Sequence, residues 1–101
     1  DQLLPPPPQP QPTTPSLENS TMLQAQPAQA FENQDHDAHI AVHLSLYQSA
    51  VAQNAPPGQQ QLLGIIQAHI YQHVDFKAKE MAMQDPQIKQ MQQQMQQMHP
   101  S

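Results

Sequence analysis

Histidines are the residues of this sequence best placed to do chemistry. Six occur in 101 residues, and there is no cysteine. Two pairs have a spacing of four residues, and residues four apart share one face of a helix. The pairs are His39 with His43 and His69 with His73. Two neighbouring helices could therefore bring four imidazoles together.

The two pairs belong to a short internal repeat. Residues 38–44 read AHIAVHL and residues 68–74 read AHIYQHV, so both follow the pattern A-H-I-x-x-H-aliphatic. On a helix each pair borders a stripe of apolar residues. If the repeats fold as a hairpin, we expect the histidine pairs to meet across its seam.

Such a cluster permits three interpretations. We favour a polar layer in a helix interface, where each imidazole bonds a carbonyl, a carboxylate, water or another imidazole. The second is a zinc, copper or nickel site, in which Asp35 or Asp37 could accept hydrogen bonds from the ligands. Its ligands would be His39, His43, His69 and His73. The third is a pH sensor, because clustered histidines charge together between roughly pH 5 and 7.

The polar layer is preferred because the ligands that usually accompany histidine are missing. There is no cysteine and no H-E-x-x-H glutamate, and structural zinc sites commonly contain cysteine. We therefore predict no cofactor. Catalysis is not expected either: Ser45, His43 and Asp37 lack a nucleophile elbow or an oxyanion loop. Gly58 and Gly64, the only glycines, cannot form a phosphate-binding loop.

Helical periodicity surrounds the histidines. Asn33 and Asp35 are good N-cap residues, and the apolar spacing that follows predicts a helix over 35–53. Its apolar face consists of Ile40, Leu44, Tyr47 and Val51. Proline and glycine within 54–58 end this helix, and a second one is predicted over 59–84. Its apolar face consists of Leu62, Ile66, Ile70 and Val74.

These two helices define a histidine-marked hairpin over residues 34–84, because helices joined by a short turn pack antiparallel by default. Gly64 weakens the second helix or marks a close approach of another chain. A Met/Gln-rich helix is predicted over 85–101, with Asp85 as its cap and Pro86 at its first position. Its seam has coiled-coil spacing and consists of Ile88, Met91, Met95 and Met98.

The first 33 residues differ in composition from the rest. Eight of the twelve prolines lie before residue 28, and proline favours polyproline II and coil. We predict an extended Pro/Gln-rich linker or strap over 1–33. The predicted fold is thus all-α, a helical hairpin plus a C-terminal helix, preceded by this extended segment.

Composition limits the partners. Three lysines and no arginine stand against eight acidic residues, so this segment is not expected to bind nucleic acid directly. No apolar run approaches the roughly 18 residues of a transmembrane helix, so no membrane partner is predicted. Few aliphatic residues are available for a core, so we expect oligomerisation or docking. Because the chain begins with Asp1, we expect a piece of a longer protein.

The histidine hairpin resembles the C-terminal region of portal proteins of certain tailed bacteriophages. The resemblance covers about residues 33–98 and is carried by residues 35–43 and 66–73, followed by the Met/Gln-rich helix. It implies a non-catalytic structural segment of a dodecameric ring, the head-to-tail connector. DNA passes through such a ring during packaging and ejection, without specific binding.

The resemblance also implies partners and a location. Other capsid, tail or terminase proteins would dock onto the ring, which would lie at the portal vertex of the virion after assembly in the host cytoplasm. The residues expected to pack between subunits are His39, Ile40, His43, Leu44, Ile66, His69, Ile70 and His73. Two alternatives stay open: a metal-binding helical hairpin, and a Pro/Gln-rich interaction segment of a regulatory protein.

Overall fold

The chain folds as four α-helices, as seen in a computed structural model that describes residues 9–53 and 59–97. The helices are α1 (Pro15–Leu23), α2 (His36–Ala52), α3 (Gln60–Met83) and α4 (Pro86–Gln97). The all-α prediction is confirmed. Within the described ranges, no helix combines the length and apolar character that crossing a bilayer requires.

The hairpin of α2 and α3 is the centre of the fold. Asp35 caps α2, because its Oδ1 accepts a hydrogen bond from the backbone N–H of Ala38 at 3.1 Å. An ion pair of 3.0 Å between Lys77 and Asp37 joins the two helices at the surface. Both helices end within one residue of their predicted bounds. The predicted turn over 54–58 lies outside the described residues.

Helix α1 corrects the prediction that residues 1–33 are extended. Thr14 caps it by accepting a hydrogen bond from the backbone N–H of Leu17 at 3.3 Å. Pro15 takes the first helical position, where its missing N–H costs nothing. Proline therefore starts a helix here instead of preventing one.

The chain after α1 returns across the hairpin. Ala25 adopts a left-handed conformation with a φ of 62°, which redirects the chain at the end of the helix. The backbone N–H of Ala30 then donates to Oε1 of Gln72 on α3 at 2.8 Å. This return packs α1 against both helices of the hairpin.

The buried face of the hairpin is the histidine face. Residues 40, 44, 47 and 51 and residues 62, 66, 70 and 74 were predicted as the apolar faces, yet Leu44, Val51 and Val74 are 41%, 47% and 44% exposed. Among the described residues, the buried hydrophobic side chains are Met22, Ala30 and Ile66. The buried polar side chains are Glu18, His36, His39, His43, His69 and His73. The interior is therefore mainly polar.

Helix α4 extends the chain beyond the hairpin. The Asp85–Pro86 restart is confirmed, since α3 ends at Met83 and the backbone N–H of Lys89 bonds the carbonyl of Asp85. Its predicted seam is mostly exposed, at 58% for Met91 and 55% for Met95. Ile88 is half-buried and Met98 lies outside the described residues. The coiled-coil role of this seam stays a prediction.

Gly64 lies on an exposed part of α3. Apart from its chain neighbours and the backbone of its own helix, a Cβ added at this position would meet no atom of the described chain within 4 Å. The glycine is therefore not required by a close approach within this chain. The alternative that another chain approaches there stays a prediction.

Candidate metal centre

Five buried side chains from three helices meet inside the fold. Their ligand atoms, one from each side chain, all lie within 4.8 Å of one another. We call them the histidine–glutamate cluster: Glu18 of α1, His39 and His43 of α2, and His69 and His73 of α3. The hairpin thus brings together the two histidine pairs, as the repeat predicted, and α1 adds a carboxylate.

One carboxylate oxygen is the common point of the cluster. Oε1 of Glu18 lies 2.8 Å from Nδ1 of His39, 2.8 Å from Nε2 of His43 and 2.7 Å from Nε2 of His69. Nε2 of His73 lies 3.6 Å from the same oxygen and 3.1 Å from Nε2 of His69. Every histidine of the cluster therefore directs one ring nitrogen at Glu18.

The other carboxylate oxygen is held from outside the cluster. Oε2 of Glu18 accepts hydrogen bonds from Nε2 of Gln34 at 3.2 Å and from Oγ1 of Thr13 at 3.5 Å. Gln34 is fixed in turn, because its Oε1 accepts the backbone N–H of Phe31 at 2.8 Å. These bonds orient the carboxylate so that Oε1 faces the histidines.

His43 and His69 each have an inner ring nitrogen, which points at Glu18, and an outer one, which points away from it. The outer nitrogens donate hydrogen bonds. Nδ1 of His69 lies 2.9 Å from the carbonyl oxygen of Ala28, which only accepts, so this nitrogen carries the proton. Nδ1 of His43 lies 2.7 Å from Oδ1 of Asn19 and donates to it. In a neutral imidazole the inner Nε2 then carries a lone pair. Both lone pairs point at the oxygen of Glu18.

A chain of two imidazoles gives His73 the same tautomer. Nε2 of His36 lies 3.0 Å from the carbonyl oxygen of Glu32 and 3.3 Å from the carboxylate of Glu80, so it donates. In neutral His36, Nδ1 is then an acceptor. Since it lies 2.8 Å from Nδ1 of His73, that nitrogen donates to it. The inner Nε2 of His73 is thus also a lone pair.

The lone pairs of neutral imidazoles that point at an ionised carboxylate are repelled by it and by each other, unless a positive charge lies between them. Burial alone would raise the pKa of Glu18, whereas hydrogen bonds from inner N–H groups, chiefly of His69 and His39, would lower it to about 2 and keep the carboxylate ionised. Because Nδ1 of His69 already donates to Ala28, its Nε2 can donate to Glu18 only if the ring is protonated. Burial also lowers the pKa of His43, and burial with the neighbouring histidines lowers the pKa of His73 to about 4. Protonating every imidazole would place four charges beside one carboxylate in a buried space.

A metal cation resolves this conflict in one step. It accepts each lone pair and neutralises the carboxylate, while the outer nitrogens keep their hydrogen-bond acceptors. Ligating histidines usually donate their other ring N–H to a carbonyl, a carboxylate or water. His69, His43 and His73 likewise donate their other ring N–H, to Ala28, Asn19 and His36 respectively. The donor set is therefore chemically suited to a metal ion.

Sequence reasoning found the four histidines and missed the glutamate. Glu18 lies 21 residues before His39 and 51 before His69, inside the segment predicted to be a linker. Its one sequence signal is charge, since Asp1 is the only other charged residue before Glu32. No periodicity connects it to the hairpin.

The predicted supporting roles of two aspartates are taken by other groups. Asp35 caps α2 and Asp37 pairs with Lys77, so neither lies behind a histidine of the cluster. The two ring nitrogens of His43 lie within hydrogen-bond distance of Asn19 and Glu18, so neither is directed at Ser45.

The residues predicted to pack between subunits fall into two groups. The four histidines and Ile66 are buried within a single chain. The others lie nearer the surface: Ile40 and Ile70 are half-buried, and Leu44 is exposed. Leu44 and Ile70 line a shallow pocket with Tyr47, Gln67 and Tyr71. Their role in subunit packing stays a prediction.

Comparison with models of protein families, with curated proteins and with solved structures finds no match to this chain.

Proposed function

We propose that this chain binds one divalent transition-metal ion in the histidine–glutamate cluster. The observation that supports it best is that one ring nitrogen from each of four histidines points at the same oxygen of Glu18. Hydrogen-bond partners outside the cluster fix the tautomers of three of these histidines. This proposal replaces our expectation of a polar layer without cofactor. It takes up the alternative of a metal-binding helical hairpin.

The donor chemistry restricts the ion. Four imidazoles and one carboxylate suit zinc, copper, iron, cobalt or nickel. Calcium and magnesium prefer oxygen ligands throughout, and this cluster supplies one carboxylate. No thiolate can be a ligand, since the chain has no cysteine.

The metal would act as a structural link among three helices. Helix α1 contributes one ligand, and α2 and α3 contribute two each. The buried hydrophobic side chains of the described part are only Met22, Ala30 and Ile66, a small core for a chain of this size. Structural metal sites supply folding free energy directly, because the unfolded chain lacks a formed site.

The proposal is tested by metal titration of the full chain. We expect one ion per chain, and a dissociation constant at least about 100-fold larger in the double variant His43→Gln/His69→Gln, which loses one ligand from each helix of the hairpin. The measurement is isothermal titration calorimetry with zinc and cobalt, with stoichiometry checked by elemental analysis.

The matched control is Glu32→Gln, because Glu32 is exposed and its side chain lies outside the cluster. This variant should bind like the wild type. Wild-type protein that takes up no metal contradicts the proposal. So does a double variant, shown by circular dichroism to be helical, that binds as tightly as the wild type.

A second proposal is that the chain forms part of a ring of identical subunits, as the resemblance to phage portals implies. The observation that favours it is the exposure of large apolar side chains on the hairpin and on α4: Leu44, Val51, Val74, Met91 and Met95. Such surface is commonly covered by a partner. The two proposals are compatible, since the metal site lies inside one chain.

Sedimentation velocity on the intact protein tests the assembly. We expect a ring-sized particle in the wild type and a much smaller species in Ile40→Asp/Ile70→Asp, because these half-buried apolar positions would then carry charge. Helicity measured on the same samples separates loss of assembly from unfolding. A variant that assembles like the wild type contradicts the packing assignment.

A further inference from the structure

The number of donors in the cluster exceeds what a structural zinc site uses. Structural zinc is almost always held by four ligands in a tetrahedron. Here five ligand atoms, one from each side chain, lie within 4.8 Å of one another, and all five side chains are buried. A tetrahedral ion would leave one of these buried donors without a partner, which costs free energy.

The spacing of the donors also favours a higher coordination number. With bonds of about 2.1 Å, tetrahedral angles place donors about 3.4 Å apart, whereas right angles place them about 3.0 Å apart. In the cluster, four separations run from 2.7 to 3.1 Å: three from Oε1 of Glu18, to His39, His43 and His69, and one between His69 and His73. A fifth, from Oε1 of Glu18 to Nε2 of His73, is 3.6 Å. Four of these five values are closer to the right-angled arrangement.

The four imidazole rings of the cluster lie close to one another. The ring centroids of His43 and His69 lie 4.7 Å apart, those of His69 and His73 4.6 Å, and those of His73 and His39 4.5 Å. The centroids of His43 and His73 are farther apart, at 5.6 Å. The centroids of His39 and His43 lie 5.5 Å apart. The four rings therefore pack closely beside Glu18. Glu18 approaches all four from α1.

We propose that the cluster holds a five- or six-coordinate divalent ion of the iron, cobalt, nickel or copper type, with Glu18 and the four histidines as its ligands, and that it is not a tetrahedral zinc site. The inference rests on the proposed metal-binding function and names the class of ion. These ions accept imidazole together with carboxylate.

Cobalt(II) reports the coordination number directly, so it is the probe for this test. Four-coordinate tetrahedral cobalt absorbs visible light intensely, whereas five- and six-coordinate cobalt absorbs weakly. We expect the full chain loaded anaerobically with one equivalent of cobalt(II) to give the weak spectrum. In Glu18→Gln, which keeps the four imidazoles, we expect the visible bands to shift. In Glu32→Gln they should be unchanged.

The outcomes separate this inference from the function on which it rests. Cobalt that binds with an intense tetrahedral spectrum overturns the coordination assignment and leaves metal binding standing. Failure of the chain to take up cobalt, zinc or nickel overturns both. Should Glu18→Gln fail to fold, competition decides: with equimolar nickel and zinc, predominant nickel in the bound fraction supports the inference and predominant zinc overturns it.

Discussion

Saturating the metal-free protein with a divalent transition-metal ion is expected to raise its Tm by roughly 15–30 °C. An ion that binds only the folded state, at a free concentration about 1,000-fold above its Kd, adds about 4 kcal/mol to the free energy of unfolding. In a domain of this size, each kcal/mol shifts Tm by roughly 4–8 °C. Thermal melting followed by circular dichroism, before and after addition of metal and then of a chelator, measures the shift.

The effect is expected to be large because little else stabilises the interior. Five polar side chains meet where a domain of this size would normally place aliphatic ones. Without the metal, their lone pairs face an ionised carboxylate in a buried space. The chelator should return the melting curve to that of the metal-free protein.

The double variant His43→Gln/His69→Gln provides the control for this prediction. Both residues ligate in the proposed site, so the Tm of the variant should respond little to metal. The Tm of Glu32→Gln should respond like that of the wild type. If the double variant and the wild type gain the same stability from metal, the ion acts elsewhere and the site assignment is wrong.

Acid is expected to destabilise the metal-free protein well above the pH at which carboxylates titrate. The pKa of His73 is lowered to about 4 from an ordinary value of 6.5, by burial and by the neighbouring histidines, and that of His43 is lowered in the same direction. Between about pH 4 and pH 6.5, the unfolded chain binds a proton at His73 that the folded chain does not. The free energy of unfolding therefore falls as pH falls from about 6.5.

Glu18 extends the loss to lower pH. Its pKa is lowered to about 2 from 4.5, because hydrogen bonds to the carboxylate outweigh the effect of burial. Its stabilising contribution is present above pH 4.5 and is lost as pH falls towards 2. The groups that face one another across the cluster are Glu18, His39, His43, His69 and His73, with His36 behind His73.

Urea unfolding in the presence of chelator, at pH 7.5, 6.5, 5.5 and 4.5, measures this dependence. We expect a decrease of a few kcal/mol in the free energy of unfolding across this series, at a slope of up to about 1.4 kcal/mol per pH unit for each titrating group. His73→Gln, which removes one of the titrating groups, should give a shallower slope. A wild-type stability that is constant or rises towards pH 4.5 contradicts the prediction.

The sequence contained most of the information about α2, α3 and α4. Their apolar and histidine spacings follow a helical period, and Asp35 and Pro86 mark helix starts by local chemistry. These signals act over one or two turns, so they are legible without a tertiary structure. The helix α1 carried the same kind of local signal, in Thr14 and Pro15, but the proline-rich composition around it favoured an extended chain.

Which face of the hairpin is buried could not be decided from periodicity. The aliphatic stripe and the histidine stripe are adjacent on both helices, and burial of apolar area favours the first. The structure buries the histidines instead. The reason is the partner that α1 supplies, the carboxylate of Glu18, which the inner nitrogens of His43 and His69 both reach.

By itself, then, the sequence determined three helices and the placement of four histidines on two helical faces, because helix period and capping are local properties. The tertiary structure decided that those faces turn inward and that Glu18 completes the cluster. Glu18 is 51 residues from His69 along the chain. Such a contact depends on the left-handed turn at Ala25 and on the return of the chain over α3, and no spacing rule encodes that path.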